Sequence, residues 1–323
     1  MELPPVAVML GLLSGFQLSQ SLFAVAELDV ATALVSGPRG VEDVAKEVGA
    51  DPDALGRIIR FLAQHGVFRT KDGTIELTEL GRTLADGPLR SVARYFRQTH
   101  YAPFGNLLDT VRTGEPAASI YYGKPFFDWV NEHPDMAALQ NEAMAAFTQD
   151  ARGDLLDVFD LPRGATVADT GGADGTLLTE LLARYPDRRG ILFDLPSVVP
   201  TEPPADRMEV VAGDFFDTVP TANVYVLSAV LQDWNNADSL RILRNIWKAG
   251  WPDARLVIID MVVPESDEPH PTKSIDVTML GMLGGCQRSE SEWRQLLTDG
   301  GFALKRVVAG SGSYFALDAT LTA

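Results

Sequence analysis

Three segments carry residue types and spacings that can do chemistry. The first is Val167-Ala-Asp-Thr-Gly-Gly-Ala-Asp-Gly-Thr-Leu-Leu-Thr-Glu-Leu-Leu-Ala183. An apolar strand there passes through Gly171, Gly172 and Gly175 straight into a helix, so bare backbone can approach a ligand with helix amides beside it. A Rossmann-like nucleotide site and a plain tight turn are the two readings of that pattern. The second segment, Gly190-Ile-Leu-Phe-Asp-Leu-Pro196, decides between them. Asp194 ends an apolar strand 25 residues after Asp169, where an α/β sheet places the carboxylate that holds ribose hydroxyls. An aspartate capping its own loop would occupy the same place. The third, Met208-Glu-Val-Val-Ala-Gly-Asp-Phe-Phe216, delivers an acid beside an aromatic, suited to an adenine amino group and ring face. Three strand ends thus converge on one adenosine-shaped ligand.

The elements that must position these residues follow from hydrophobic patterning. The strand Asn223–Ser228, a turn holding Gln232, a helix over Ala237–Lys248 and a strand Leu256–Asp260 continue the β-α alternation and imply parallel order. A last helix, Ser291–Leu297, precedes Ala303–Val308 and Tyr314–Thr320, two runs close enough to pair as a terminal hairpin. Near the N-terminus, Leu12, Phe16, Leu22, Phe23 and Ala26 form one broad apolar helical stripe, which is either a core face or an interface. Residues 39–90 read as helix, turn, helix and hairpin. Val41–Val48 forms the first helix, and Asp51-Pro52 caps and opens a second that runs through Gln64. Strands then flank Lys71-Asp72-Gly73. This is a winged-helix pattern, but its eight Lys/Arg against nine Asp/Glu give it no basic face for DNA.

Asp169-Thr-Gly-Gly-Ala-Asp-Gly175, Phe193-Asp-Leu-Pro196, Gly213-Asp-Phe-Phe216 and Asp233-Trp234 resemble the small-molecule O-methyltransferases of bacterial and plant secondary metabolism. The resemblance reaches the N-terminal half through Leu13–Gln20, Asp51-Pro-Asp-Ala-Leu55 and Phe61–Phe68. It implies a Rossmann-like seven-stranded α/β domain behind an α-rich winged-helix-like dimerisation domain. It further implies S-adenosylmethionine as cofactor, S-adenosylhomocysteine as product and a homodimer of interlocked N-terminal helices. Asp169, Gly171, Gly172, Asp194, Leu195, Gly213, Asp214 and Phe215 are the expected cofactor contacts. Met144, Trp234, Met279 and Arg288 are expected at the substrate, although methionines at helical spacing are also ordinary core filling.

Two positions depart from the family. Where the resemblance expects His-Asp-Trp, the chain reads Gln232-Asp-Trp234, and where it expects Gly-Gly-x-Glu-Arg it reads Gly284-Gly-Cys-Gln-Arg288. The histidine is the family's general base and the glutamate its orienting partner. Asp260 is the acid that survives. An amide cannot take the acceptor's proton. Such assistance is worth about 10²–10⁴-fold, so a phenol with pKa near ~10 would react slowly. Carboxylates, thiolates, amines and electron-rich carbons would lose less. Gln232, Asp260 and Gln287 are therefore expected to position the acceptor, and His100, among aromatics, is a candidate relocated base. The rival expectation is a repurposed enzyme that runs a cyclisation, pericyclic step or hydroxylation with the cofactor bound, Gln232, Gln287 and Arg288 donating to a carbonyl.

Composition fits a soluble, cytoplasmic enzyme. With 323 residues the chain can bury two cores, and we expect residues 1–95 as the dimerisation domain, 96–155 as a helical linker contributing aromatics to the substrate pocket, and 156–323 as the cofactor domain. The net charge of −17 argues against nucleic acid and anionic membrane surfaces. One cysteine, Cys286, excludes an internal disulfide, and His65, His100, His133 and His270 lack a metal-ligand spacing, so no metal is expected. The stretch from Pro5 to Val30 is interrupted by Ser14, Gln17, Ser19, Gln20 and Ser21 and reads as neither signal peptide nor membrane span.

Overall fold

The computed structural model describes residues 4–85, 87 and 89–322, with side chains left undescribed at 145–151. The chain forms two compact units. Residues 1–105 with 127–148 make the first, and 106–126 with 149–323 the second, so the 96–155 segment is divided between them.

In the first unit, Arg39–Gly40 (β1), Phe68–Lys71 (β2) and Thr74–Leu77 (β3) form a small antiparallel sheet in the order β1-β3-β2. The helix Pro52–Ala63 starts where expected, because the Asp51 carboxylate accepts the Ala54 amide at 2.8 Å and Pro52 needs no donor at the first turn. Val25, Val30, Ile59, Leu62, Phe68 and Ile75 fill the core between helices and sheet. The single N-terminal stripe expected from the sequence is broken. Helices Pro5–Leu13 and Gly15–Glu27 meet at a 43° bend at Ser14, whose hydroxyl donates to the Leu10 carbonyl at 2.7 Å. Ala26 is buried, while Leu12 and Phe16 stay exposed with Val6, Met9, Leu10 and Leu13. No single helix among the described residues is long and apolar enough to cross a membrane; this bent pair meets the length and composition only when taken together.

The second unit is a seven-stranded sheet built from Thr166–Thr170 (β4), Arg189–Asp194 (β5), Met208–Ala212 (β6), Val224–Ser228 (β7), Arg255–Met261 (β8), Phe302–Ala309 (β9) and Tyr314–Leu321 (β10). Its order is β6-β5-β4-β7-β8-β10-β9, parallel except for the terminal hairpin. Both faces are covered, which is why its central strands read as unbroken apolar runs. Tyr225, Leu227, Leu256 and Ile258 point into one core layer with Trp293 and Phe302. Val224, Val226, Val257 and Ile259 alternate into the other with Leu155, Leu178 and Leu182.

The helix Glu290–Asp299 is pinned by a capping box in which Ser289 and Glu292 bond each other's backbone amides. Its Trp293 is fully buried and donates to the Met261 carbonyl at 3.2 Å. Trp293→Ala should cost about 3–5 kcal/mol of unfolding free energy, read as a lowered urea midpoint.

Candidate active site

The parallel strands all deliver their carboxyl ends to one edge, where ligands of such sheets sit. At the end of β4, Gly171 and Gly175 both take φ +79° and Ala173 +49°, a conformation that glycine adopts freely. Gly171 donates to the Phe193 carbonyl at 2.8 Å and Gly175 to that of Gly172 at 2.9 Å, closing the loop ahead of the helix Thr176–Arg184. A Cβ on Gly172 would lie 2.6 Å from Leu192 and 2.7 Å from the Asp169 carboxyl carbon, and one on Gly213 would lie 2.6 Å from the Phe193 ring. These glycines are demanded by packing as well as by the turn.

The acids around the loop differ in their partners. Asp194 accepts the Ala173 amide at 2.9 Å through one oxygen and the Leu195 amide at 2.7 Å through the other. It therefore caps the glycine loop and keeps lone pairs on both oxygens for a further donor. Asp214 accepts the Phe216 amide at 2.8 Å. Phe215 and Phe216 stand edge-on to Trp234, with ring centroids at 5.9 and 4.7 Å. Trp234 is thus half-buried in the core layer. Asp169 is 1% exposed, and neither carboxylate oxygen has a protein partner. Burial, reinforced by Asp194 and opposed by Arg152, pushes its pKa up to about 7.

Beyond β7 the chain turns through Ala229 at φ +54°, a strained conformation for a residue with a Cβ, into the 3₁₀ turn Leu231–Asp233. This turn presents Gln232, which is half-buried. Gln287, 5% exposed, donates through Nε2 to Gln232 Oε1 at 2.6 Å, and its backbone amide is held by Asp276 at 2.8 Å. The approach is close because residue 285 is glycine; a Cβ there would lie 2.1 Å from the Gln232 carbonyl oxygen. Sequence reasoning brings Gln232 and Gln287 together, and the structure makes them a hydrogen-bonded pair.

Asp260, fully buried at the end of β8, accepts the Met261 amide at 2.8 Å through Oδ1 and has no partner at Oδ2. Burial lifts it to about 7 against the pull of that amide and Arg288. The half-buried Asp233 rises to about 8, mainly by burial and then through Asp260. Tyr314, opposite Met261 on β10, is also raised by burial and by these two acids. Sequence reading passed over Asp233 and Tyr314 as site residues; Asp233 was visible as the residue after Gln232, whereas Tyr314 arrives only through strand register.

Arg288, His100, Met144 and Met279 sit in different surroundings. Arg288, expected at the substrate, is 2% exposed and spends its nitrogens on the Leu231 and Trp234 carbonyls at 2.9 Å, Asn236 Oδ1 at 3.0 Å and Ser239 Oγ at 3.1 Å. It is a buried staple. His100, the candidate relocated base, lies in the first unit with Thr99 Oγ1 2.7 Å from Nδ1, and burial lowers its pKa to about 3. So weak a base is poorly matched to proton abstraction near neutrality. Met144 is also in the first unit, half-exposed, whereas Met279 lies in the second on the helix Pro271–Met282.

With this geometry in view, comparison with known proteins is direct. Residues 104–303 match the O-methyltransferase domain and residues 10–87 the O-methyltransferase dimerisation domain. The chain belongs to the O-methyltransferase family. It is 34% identical over 317 residues to a phenazine O-methyltransferase of Lysobacter antibioticus, covering 94% of this chain and 93% of that one. It is 35% identical over 298 residues to the 8-amino-8-demethylriboflavin N,N-dimethyltransferase of Streptomyces davaonensis, covering 87% and 85%. A methyltransferase of calicheamicin biosynthesis, solved with S-adenosylhomocysteine bound, superposes with a TM-score of 0.84 at 32% identity over the whole of both chains. The chain is an S-adenosylmethionine-dependent methyltransferase. These relatives are all methyltransferases and lend nothing to the non-methylating alternative.

The raised acids give this methyltransferase a pH signature. Asp169, Asp233 and Asp260 bind their protons more tightly folded than unfolded, where a carboxyl sits near ~4. Their contribution to stability is complete below that value and is lost as pH rises through about 7 and 8. Asp233→Asn and Asp260→Asn should each flatten the decline of Tm between roughly pH 4 and pH 8, measured by scanning fluorimetry; slopes equal to the parent's would remove the assignment.

Proposed function

We propose that the protein methylates an aromatic small molecule of secondary metabolism at an atom that needs little general-base help. The observation that carries this reading is the Gln287–Gln232 amide pair, at the position where the family resemblance implies a histidine and its acid. Neither amide takes a proton from an acceptor hydroxyl. An amine, thiolate, carboxylate, ionised hydroxyl or activated carbon needs no such step. One relative named above is a phenazine O-methyltransferase, which supports an aromatic acceptor, and another is an N,N-dimethyltransferase, which supports a nucleophile other than a neutral phenol.

The residues at the sheet edge fit the cofactor. Gly171, Gly172 and Gly213 leave the cradle free of Cβ atoms, and Asp194 with Leu195 and Asp214 with Phe215 offer the carboxylates and apolar surfaces for ribose and adenine. The unpartnered oxygens of Asp169 offer a buried acceptor to a cationic or N–H group. S-adenosylmethionine supplies a methyl group on a sulfonium whose departure leaves a neutral thioether. The chain's own contribution is in-line positioning by Gln232, Gln287 and Asp260.

The dimerisation-domain match and the exposed apolar row Val6, Met9, Leu10, Leu12, Leu13 and Phe16 support a homodimer formed through the N-terminal helices. Phe16→Glu should shift the protein toward monomer in analytical ultracentrifugation, and an unchanged mass would exclude this face.

Mass spectrometry with methyl-labelled S-adenosylmethionine tests the acceptor class across phenols, carboxylates, thiols, amines and activated carbons. Label is expected in the ionised or intrinsically nucleophilic members. Gln232→His combined with Gln287→Glu should raise transfer to a neutral phenol about 10²-fold or more. A double variant no faster than its parent would show that the missing base does not govern acceptor choice.

A further inference from the structure

The Gln287–Gln232 pair is more than two lost functional groups, because an amide has a direction. Gln232 Oε1 is occupied by the Gln287 Nε2 donor at 2.6 Å. Gln232 Nε2 then remains as the outward group; among the described residues it donates to no protein acceptor, and it is not one of the buried unpartnered atoms. The Gln287 backbone is fixed in place. Its backbone amide is tied to Asp276 and its neighbour Arg288 is stapled into the turn that carries Gln232. The one unmet group of the buried Gln287 side chain is Oε1. Reversing both amides would instead leave the buried Gln287 NH₂ with no acceptor, two unmet N–H groups in place of one unmet oxygen and one unmet N–H.

We infer that Gln287 sets the polarity of Gln232, so that the acceptor site meets its substrate with an N–H donor and selects an aromatic whose facing group is an unprotonated oxygen, a carboxylate, ionised hydroxyl or carbonyl. This rests on the proposed acceptor-positioning role of Gln232 and adds the chemistry of the group it reads. A neutral hydroxyl placed there must turn its proton away and forfeits a donor, whereas an anionic oxygen gains a charge-assisted bond. Asp233, Asp260 and Tyr314 are the acidic groups of this region, and Asp276 and Arg288 lie against Gln287; burial keeps protons on Asp233 and Asp260 at neutral pH more than their ordinary values would, and a tyrosine is neutral there in any case. An anionic group is thereby spared much of their repulsion. Gln287 is a positioning residue, acting through Gln232.

The isosteric variant Gln287→Glu inverts this arrangement. An ionised carboxylate only accepts, so when measured at a pH above the raised values of the neighbouring acids, Gln232 must turn its NH₂ inward and leave its carbonyl outward. Protein labelled with ¹⁵N in glutamine and bound to S-adenosylhomocysteine would be followed by NMR, with Gln232 assigned from its loss in Gln232→Glu. In the parent, the Gln287 amide protons should exchange with solvent about two- to tenfold more slowly than those of Gln232. In Gln287→Glu the Gln232 protons should become the slow ones by a similar factor. Gln287→Leu, which adds no charge, should leave the Gln232 protons fast, and it serves if the glutamate variant does not fold.

Calorimetry on the same complex adds the ligand side, with benzoate and phenol as probes. The parent should bind benzoate more tightly than phenol, and the preference should fall about tenfold in Gln287→Glu. Gln232 protons already protected in the parent, unchanged exchange in Gln287→Glu, or failure of benzoate to bind more tightly than phenol would each overturn the inference. Methyl transfer from labelled cofactor is measured separately, so a protein that methylates non-phenolic acceptors yet fails these tests keeps its proposed function and loses only the assigned polarity.

Discussion

A guanidinium sunk beneath the surface must place its N–H groups or bear the full cost of burial. Arg288 meets that demand by donating to Leu231, Trp234, Asn236 and Ser239, all in the turn and helix start that follow β7. The segment bearing Gln287 is thereby fastened to the segment bearing Gln232. Gly285 permits the approach, and Trp293 packs beneath, its ring 5.0 Å from the guanidinium. The amide pair is therefore a consequence of backbone held rigidly on both sides. A residue that reads as a substrate contact in the sequence is the fastening on which the candidate site depends.

The same edge of the sheet concentrates polar groups that a core would exclude. Asp169, Asp233 and Asp260 are raised because water is withheld from them, and Ala229 is kept at positive φ by the structure on either side. Such costs are sustained by the apolar layers on both faces of the sheet, which contain no chemistry. Strain and unmet acceptors gather at the carboxyl ends of the strands, where ligands of open parallel sheets sit. Asp194 illustrates the economy of the arrangement: one carboxylate caps the loop before β5's successor segment begins and still presents lone pairs outward.

Much of the fold was legible because its patterns are local. Glycines between a strand and a helix, acids at strand ends, Pro52 after Asp51 and the terminal hairpin each follow from a few neighbouring residues. The N-terminal stripe was misread as one helix because apolar periodicity passes through Ser14 without a break, whereas the bend depends on where that hydroxyl bonds. His100 looked available because aromatic neighbours suggest a pocket. Its burial, which weakens it as a base, has no local signature.

The sequence alone determined that Gln232 and Gln287 are amides, that Asp260 remains an acid, and that a glycine loop opens the cofactor domain. Residue type limits which protons a side chain can give or take, and that limit holds in any fold. Only the tertiary structure decided that the two glutamines, 55 positions apart, share one hydrogen bond, that Arg288 is spent internally, and that the buried Asp260 helps to raise the half-buried Asp233. Hydrogen-bond direction and pKa depend on distance and on water excluded by segments remote in the chain.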